Sequence, residues 1–164
     1  MKRFIAYTDG YFDMNSQVGS SACVILSADG VKLYEHAKAR RCEYDPEKKQ
    51  RNNEQELGAI IRAVMSVPDG CELHIYSDSQ YAVNVLSGTW NASANLGLID
   101  RYNEEVKKRH LRVQLFWVKG HANGKHPWNE YADELCERVV NIFSSGGGNT
   151  LRSSKNLCLE PCVN

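Results

Sequence analysis

The sequence predicts an α/β fold: a five-stranded mixed sheet, three antiparallel strands followed by parallel additions, with helices on both faces. Three observations predict it. Strand-like apolar segments crowd residues 3–41 before any helical period occurs. From Asn53 onward, helical and strand patterns alternate, as they do where strands are added to a sheet through helices. The composition, 42% hydrophobic and 24% charged over 164 residues, suits one soluble domain large enough to bury a real core.

The elements follow in order. "RFIAYTD" (3–9) is a nearly continuous apolar run and reads as a buried strand. "GSSACVILSADGVKLYEHAKARR" (19–41) reads as two strands around Asp29-Gly30, a strong hairpin signal. Leu57, Ile60, Ile61 and Val64 recur at helical spacing from Asn53 on, and Pro68-Asp69-Gly70 ends that helix. "CELHIYS" (71–77) alternates as a strand and runs into a short helix reaching about Leu86. "SGTWNASAN" (87–95) is a loop, after which Asn95 or an earlier Ser caps the helix of "LGLIDRYNEEVKKRH". "LRVQLFWVKG" (111–120) is the fifth strand, and Trp128 to Phe143 is the last helix, with Ala132, Leu135, Cys136, Val139 and Phe143 as its stripe. The domain thus spans 1–143, and the Gly/Ser-rich 144–164 reads as a flexible tail.

Composition bounds the function. No apolar run reaches the length of a membrane span, and the apolar part of "MKRFIAYTDG" is too short for a secretory segment. The expected setting is the cytoplasm, as a monomer. Cys23, Cys71 and Cys136 fall on apolar faces as reduced thiols, and "CLEPC" (158–162) lacks the CxxC spacing of a zinc site. Twenty basic and twenty acidic residues cancel, whereas a nucleic-acid binder usually carries a basic surplus. The basic residues nevertheless cluster, as "KARR" (38–41), "EKKQR" (47–51) and "KKRHLR" (107–112).

Four acids stand at informative places. Asp9 ends the first strand, Asp78 ends the fourth, and Glu56 and Asp133 lie near the starts of two helices at the borders of their apolar stripes. Each alone is explained by a turn, a cap or the positive helix N-terminus. If strands one and four are parallel neighbours, however, Asp9 and Asp78 emerge side by side at the sheet edge where open α/β folds bind ligands. Carboxylates crowded there repel, and a hard divalent cation with oxygen ligands resolves the repulsion. Two such ions suit phosphodiester cleavage.

"YTDG", "NNEQEL", "SDSQY" and "VKGHANGKHPWNEYADEL" occur in this order on those elements. Together they resemble the type 1 ribonuclease H family, over about residues 1–143. The resemblance implies a ribonuclease H-like fold and hydrolysis of the RNA strand of RNA–DNA hybrids, with little sequence preference and two Mg²⁺ ions, for which Mn²⁺ substitutes. By the same match Asp9, Glu56, Asp78 and Asp133 are similar to the family's metal-binding acids. His121 resembles its mobile-loop histidine, which assists proton transfer or product departure, a role that suits an imidazole titrating near neutral pH. Asn52, Asn53 and Gln80 match positions that contact the hybrid in the minor groove, where amide side chains can address a 2′-OH. Asn15 falls at the matching distance after Asp9, though "FDMNSQVGSS" replaces the family's glycine- and proline-rich loop.

Many family members also carry a basic, Trp-rich protrusion before the last strand. Residues 87–110 supply Trp90 but no such protrusion, which implies weaker binding and low processivity. Two rival readings are another nuclease on the same sheet and a catalytically inert hybrid-binding domain. The first generally lacks the "DSQY" and "VKGH" context, and the second does not account for acids at all four places.

Overall fold

The computed structural model describes residues 1–43, 51–120 and 124–153. In chain order its elements are β1 (Arg3–Asp13), β2 (Val18–Ser27), β3 (Lys32–Arg41), α1 (Arg51–Met65), β4 (Glu72–Ser77), α2 (Gln80–Leu86), α3 (Leu96–Lys108), β5 (Arg112–Trp117), α4 (Pro127–Ser144) and β6 (Thr150–Arg152). One sheet runs β5-β4-β1-β2-β3-β6. β1 pairs antiparallel with β2, and β2 with β3, while β4 and β5 are added parallel on the other side of β1.

The two sides of the sheet make two cores. Leu57, Ile60, Ile61 and Val64 of α1 pack with Phe4, Ala6, Ile25, Leu73 and Ile75, and α2 and α3 extend this layer with Ala82, Leu86 and Tyr102. On the opposite face, Ala132, Leu135, Cys136, Val139 and Val140 of α4 pack on Val18, Val24, Leu26, Ala37 and Ala39. Sandwiching explains why β2 is apolar almost throughout, since both of its faces are covered. Each fully buried Leu or Ile contributes about 1.5–3 kcal/mol relative to exposure. The hairpin at Asp29-Gly30 is tied by Gly30 N–H donating to the Ser27 carbonyl at 2.9 Å, with Gly30 at φ 85°. Cys23, Cys42, Cys71 and Cys136 are buried.

The expected sheet of five strands is one strand short. β6 lies within the segment 144–164, and three residues are too few to display an alternating pattern. Its pairing is tertiary: Thr150, Leu151 and Arg152 pair with Lys38, Ala37 and His36 of β3. Leu151 packs on the α4-side core, and Ala39 N–H donates to the Asn149 carbonyl at 2.8 Å. Glu35 N–H donates to Ser153 Oγ at 2.9 Å, and Ser153 N–H returns a bond to the Glu35 carbonyl at 3.0 Å. Cys158 and Cys162 lie outside the described residues.

Truncation separates the two parts of this segment. Ending the chain after Ser153 keeps β6 and its pairing with β3. Ending it after Ser144 removes β6 and several hydrogen bonds, costing about 1–3 kcal/mol, or roughly 2–10 °C for a domain of this size. Thermal denaturation of both truncated chains checks this, and equal melting temperatures would refute it.

Candidate active site

β1 and β4 run parallel with Thr8 opposite Ser77, so the next residues stand side by side: Asp9, still within β1 and paired with Ala22, and Asp78, just past the end of β4. That is the carboxyl edge where a crevice opens in α/β sheets. Asp78 does not cap the following helix. The cap of α2 is Ser79, whose Oγ accepts from Ala82 N–H at 3.0 Å, and the Asp78 carboxylate turns to the cluster described next.

Glu56 is brought to the same place by the close approach of α1 to β1. A Cβ on Gly10 would fall 2.7 Å from Glu56 Cα and closer still to its backbone nitrogen. Only a residue without a side chain admits the helix there. Gly120 performs a similar service for Asp78, since a Cβ on it would stand 2.7 Å from Asp78 Oδ2. From the other face, Cys136 Sγ donates to the Asp9 carbonyl at 3.5 Å. Burial, and then the nearby Asp9 charge, push that thiol well up, so it acts as a packing group rather than a nucleophile.

Asp9, Glu56 and Asp78 each place one carboxylate oxygen within 4.8 Å of the others. Asp9 and Glu56 are only 5% and 8% exposed. Burial, then the charges of Glu56 and Asp78, push the Asp9 carboxyl well above the usual carboxylate range, and a hydrogen bond with Asp133 adds to the rise. Burial and the Asp78 charge raise Glu56 likewise, against hydrogen bonds from Asp9 and from the Gly10 backbone. Asp133, half-buried on α4, therefore reaches Asp9 but is not one of the three acids that converge within ligand distance. Glu56 Oε2 is buried with no hydrogen-bond partner among the described residues.

An orphaned, buried carboxylate oxygen beside two like charges is a costly arrangement by itself. A hard divalent cation fits it, because it supplies the missing positive charge and takes oxygen ligands. A pH dependence follows with a definite sign. The folded pKa values of Asp9 and Glu56 lie above their ordinary values of 3.8 and 4.5. Stability from this cluster is therefore complete below about 3.8–4.5 and is lost as pH rises through the folded values. Mg²⁺ should raise the melting temperature more at about pH 8 than at about pH 5, relative to EDTA. Equal increments at the two pH values in a thermal-shift titration would refute this.

The remaining predicted residues are distributed around the crevice. Asn52 and Asn53 lie in the first turn of α1, and Asn52 Oδ1 accepts from Phe12 N–H at 2.8 Å. The Asn52 carbonyl thus fastens the end of β1 to the helix start, which spacing alone did not reveal. Gln80 is exposed at the first position of α2. Asn15 is exposed in the β1–β2 turn, its N–H donating to Asp13 Oδ1 at 3.1 Å. Trp90 is 48% exposed in the connection after α2, not in the core. His121 lies outside the described residues. Sequence reasoning passed over Gly10 and Gly120, although each adjoins a motif residue in "TDG" and "KGH".

A family model described as RNase H matches residues 1–141. A "Ribonuclease H" of Brucella anthropi is 32% identical over 164 aligned positions, covering 93% of this chain and 99% of the relative. A "Ribonuclease H" of Rhizobium etli is 32% identical, covering 89% and 97%. Among solved structures, the N-terminal ribonuclease H domain of a Mycobacterium tuberculosis protein superposes with a TM-score of 0.69 at 20% identity, over 89% of this chain and 99% of that one. Ribonuclease H1 of the halophilic archaeon Halobacterium salinarum gives 0.69 at 22%, over 85% and 98%. These two likenesses establish the shared fold.

Proposed function

The chain belongs to the ribonuclease H family, and on that premise we propose that it is an endonuclease that cuts the RNA strand of RNA–DNA hybrids by two-metal-ion catalysis with little sequence preference. The observation that carries this reading is the convergence of Asp9, Glu56 and Asp78 at the carboxyl edge of β1 and β4, with one buried Glu56 oxygen left for a ligand outside the chain.

In this reading Asp9, Glu56, Asp78 and Asp133 hold Mg²⁺, or Mn²⁺ in its place. Bound divalent ions supply an acidified water for attack on phosphorus and neutralise charge on the leaving oxygen. The chain's own residues do the rest. Gly10 and Gly120 leave room for the carboxylates to converge, and the buried edge of the sheet keeps them in a low-dielectric setting where their charge is felt strongly. Asn53 and Gln80 present amides to the minor groove, where a 2′-OH distinguishes RNA from DNA. Asn52 contributes there through its amide nitrogen, since its oxygen is held by Phe12. Asn15 marks the lip of the β1–β2 turn. His121 assists proton transfer or product departure.

The connection from Leu86 to Leu96 carries no basic protrusion. Fewer phosphates are neutralised, so binding is salt-sensitive but weak, and the enzyme is of low processivity. It acts as a cytoplasmic monomer; among the described residues no helix is long and apolar enough to cross a membrane. One gel tests the reading: labelled RNA–DNA hybrid, double-stranded DNA and double-stranded RNA, each with Mg²⁺ and with EDTA. Only the hybrid with Mg²⁺ should yield RNA fragments. Cleavage of the other duplexes, or cleavage in EDTA, would overturn it.

A further inference from the structure

The β4–β5 ladder ends with Ser77 opposite Trp117, and Val118 N–H donates to the Ser77 carbonyl at 2.9 Å. The next carbonyl along β4 belongs to Asp78, where the chain has left the sheet and α2 has not begun. It has passed the last backbone pair of the ladder. Trp117 Nε1–H meets it instead, donating at 3.0 Å.

The ring that makes this bond is 45% exposed. Packing alone does not account for a large indole left half in water at the end of an edge strand, whereas its N–H group has a defined partner. The hydrogen bond fixes the peptide that follows Asp78 Cα. With Gly120 leaving room for Oδ2, where a Cβ would stand 2.7 Å away, it sets the direction in which the carboxylate leaves the backbone. Asp78 thus has its main chain held from β5, by an indole N–H that bonds to its carbonyl rather than to its carboxylate.

We propose that Trp117 is a positioning residue for Asp78, holding that carboxylate in line with Asp9 and Glu56 through the indole N–H. The inference rests on the metal-binding reading of the three acids. Second-shell partners of this kind typically change metal affinity or activity by about 10–100-fold when removed, but a main-chain contact one bond removed from the ligand should act at the lower end.

The test is Trp117→Phe, which keeps an aromatic ring and removes only the donor. Mn²⁺ binding to the full chain without substrate, followed by calorimetry, should weaken roughly five- to tenfold. In hybrid cleavage kcat should fall by a similar factor while KM changes less than about twofold, because no substrate contact is lost. A merely structural aromatic would lower the melting temperature and leave Mn²⁺ affinity as it was. Unchanged Mn²⁺ affinity in a folded Trp117→Phe protein overturns the proposal. If wild-type protein itself binds no Mn²⁺, the metal-binding reading fails, which is a different result. Should Trp117→Phe not fold, the wild-type indole proton decides by NMR: slow exchange with solvent, and a shift on adding Mg²⁺, are expected. Fast exchange overturns the proposal.

Discussion

Asp78→Asn is expected to abolish hybrid cleavage, by at least about a hundredfold, while the protein remains folded. The scale is that of removing one group that stabilises charge in a transition state. The fold should survive because the amide is nearly isosteric and little of the local structure depends on the charge. Ser79, not Asp78, caps α2, and the strand ladder ends on backbone groups of Ser77. Removing one of three converging negative charges also relieves repulsion on Asp9 and Glu56, so stability without metal should not fall. Circular dichroism melting and cleavage of a labelled hybrid give the two readouts. Activity above a tenth of wild type would count against a metal role for Asp78.

Gly10→Ala is the second large effect, and here the loss begins with the fold. The added methyl would overlap the backbone of Gln55 and Glu56 rather than a movable side-chain end. Neither side can withdraw cheaply. At Gly10, β1 is still paired with β2, opposite Ser21, and α1 is anchored by Leu57, Ile60 and Val64, all fully buried. A forced separation is expected to cost about 3 kcal/mol or more, at the upper end for overpacking. That corresponds to a fall of roughly 6–12 °C in melting temperature. Cleavage should be lost even below the melting point, because Glu56 moves with the helix. A protein that melts within about 2 °C of wild type would show that the contact yields more easily than the geometry implies.

Much of this architecture was legible because its signals are local. Continuous or alternating apolar runs marked β1 to β5, and the spacing of Leu57, Ile60, Ile61 and Val64 marked α1. What escaped depends on contacts between distant segments. β6 has no pattern of its own and exists by pairing with β3. The bond from Phe12 N–H to Asn52 Oδ1 was hidden because the two residues stand forty positions apart. Asp78 and Ser79 are both good capping types, and only the three-dimensional turn decided between them. The parallel pairing of β1 with β4, on which the meeting of Asp9 and Asp78 depends, was an inference from topology that no single segment displays. Gly10 and Gly120 gave no signal beyond their place in the motifs, because what matters about them is the atoms they leave room for.

The short strand β6 also bears on how the protein behaves in concentrated solution. It and the bonds beside it occupy the outer edge of β3 from Glu35 to Ala39. An uncovered strand edge is a template for pairing with another chain, and proteins guard against this by covering it or by placing charge on it. Here both devices are in use: β6 covers β3, and Arg112 stands exposed on the opposite edge strand, β5. A chain shortened to Ser144 would therefore do more than lose stability. It would bare the edge of β3 from Glu35 to Ala39, and its solubility would become a matter of concentration.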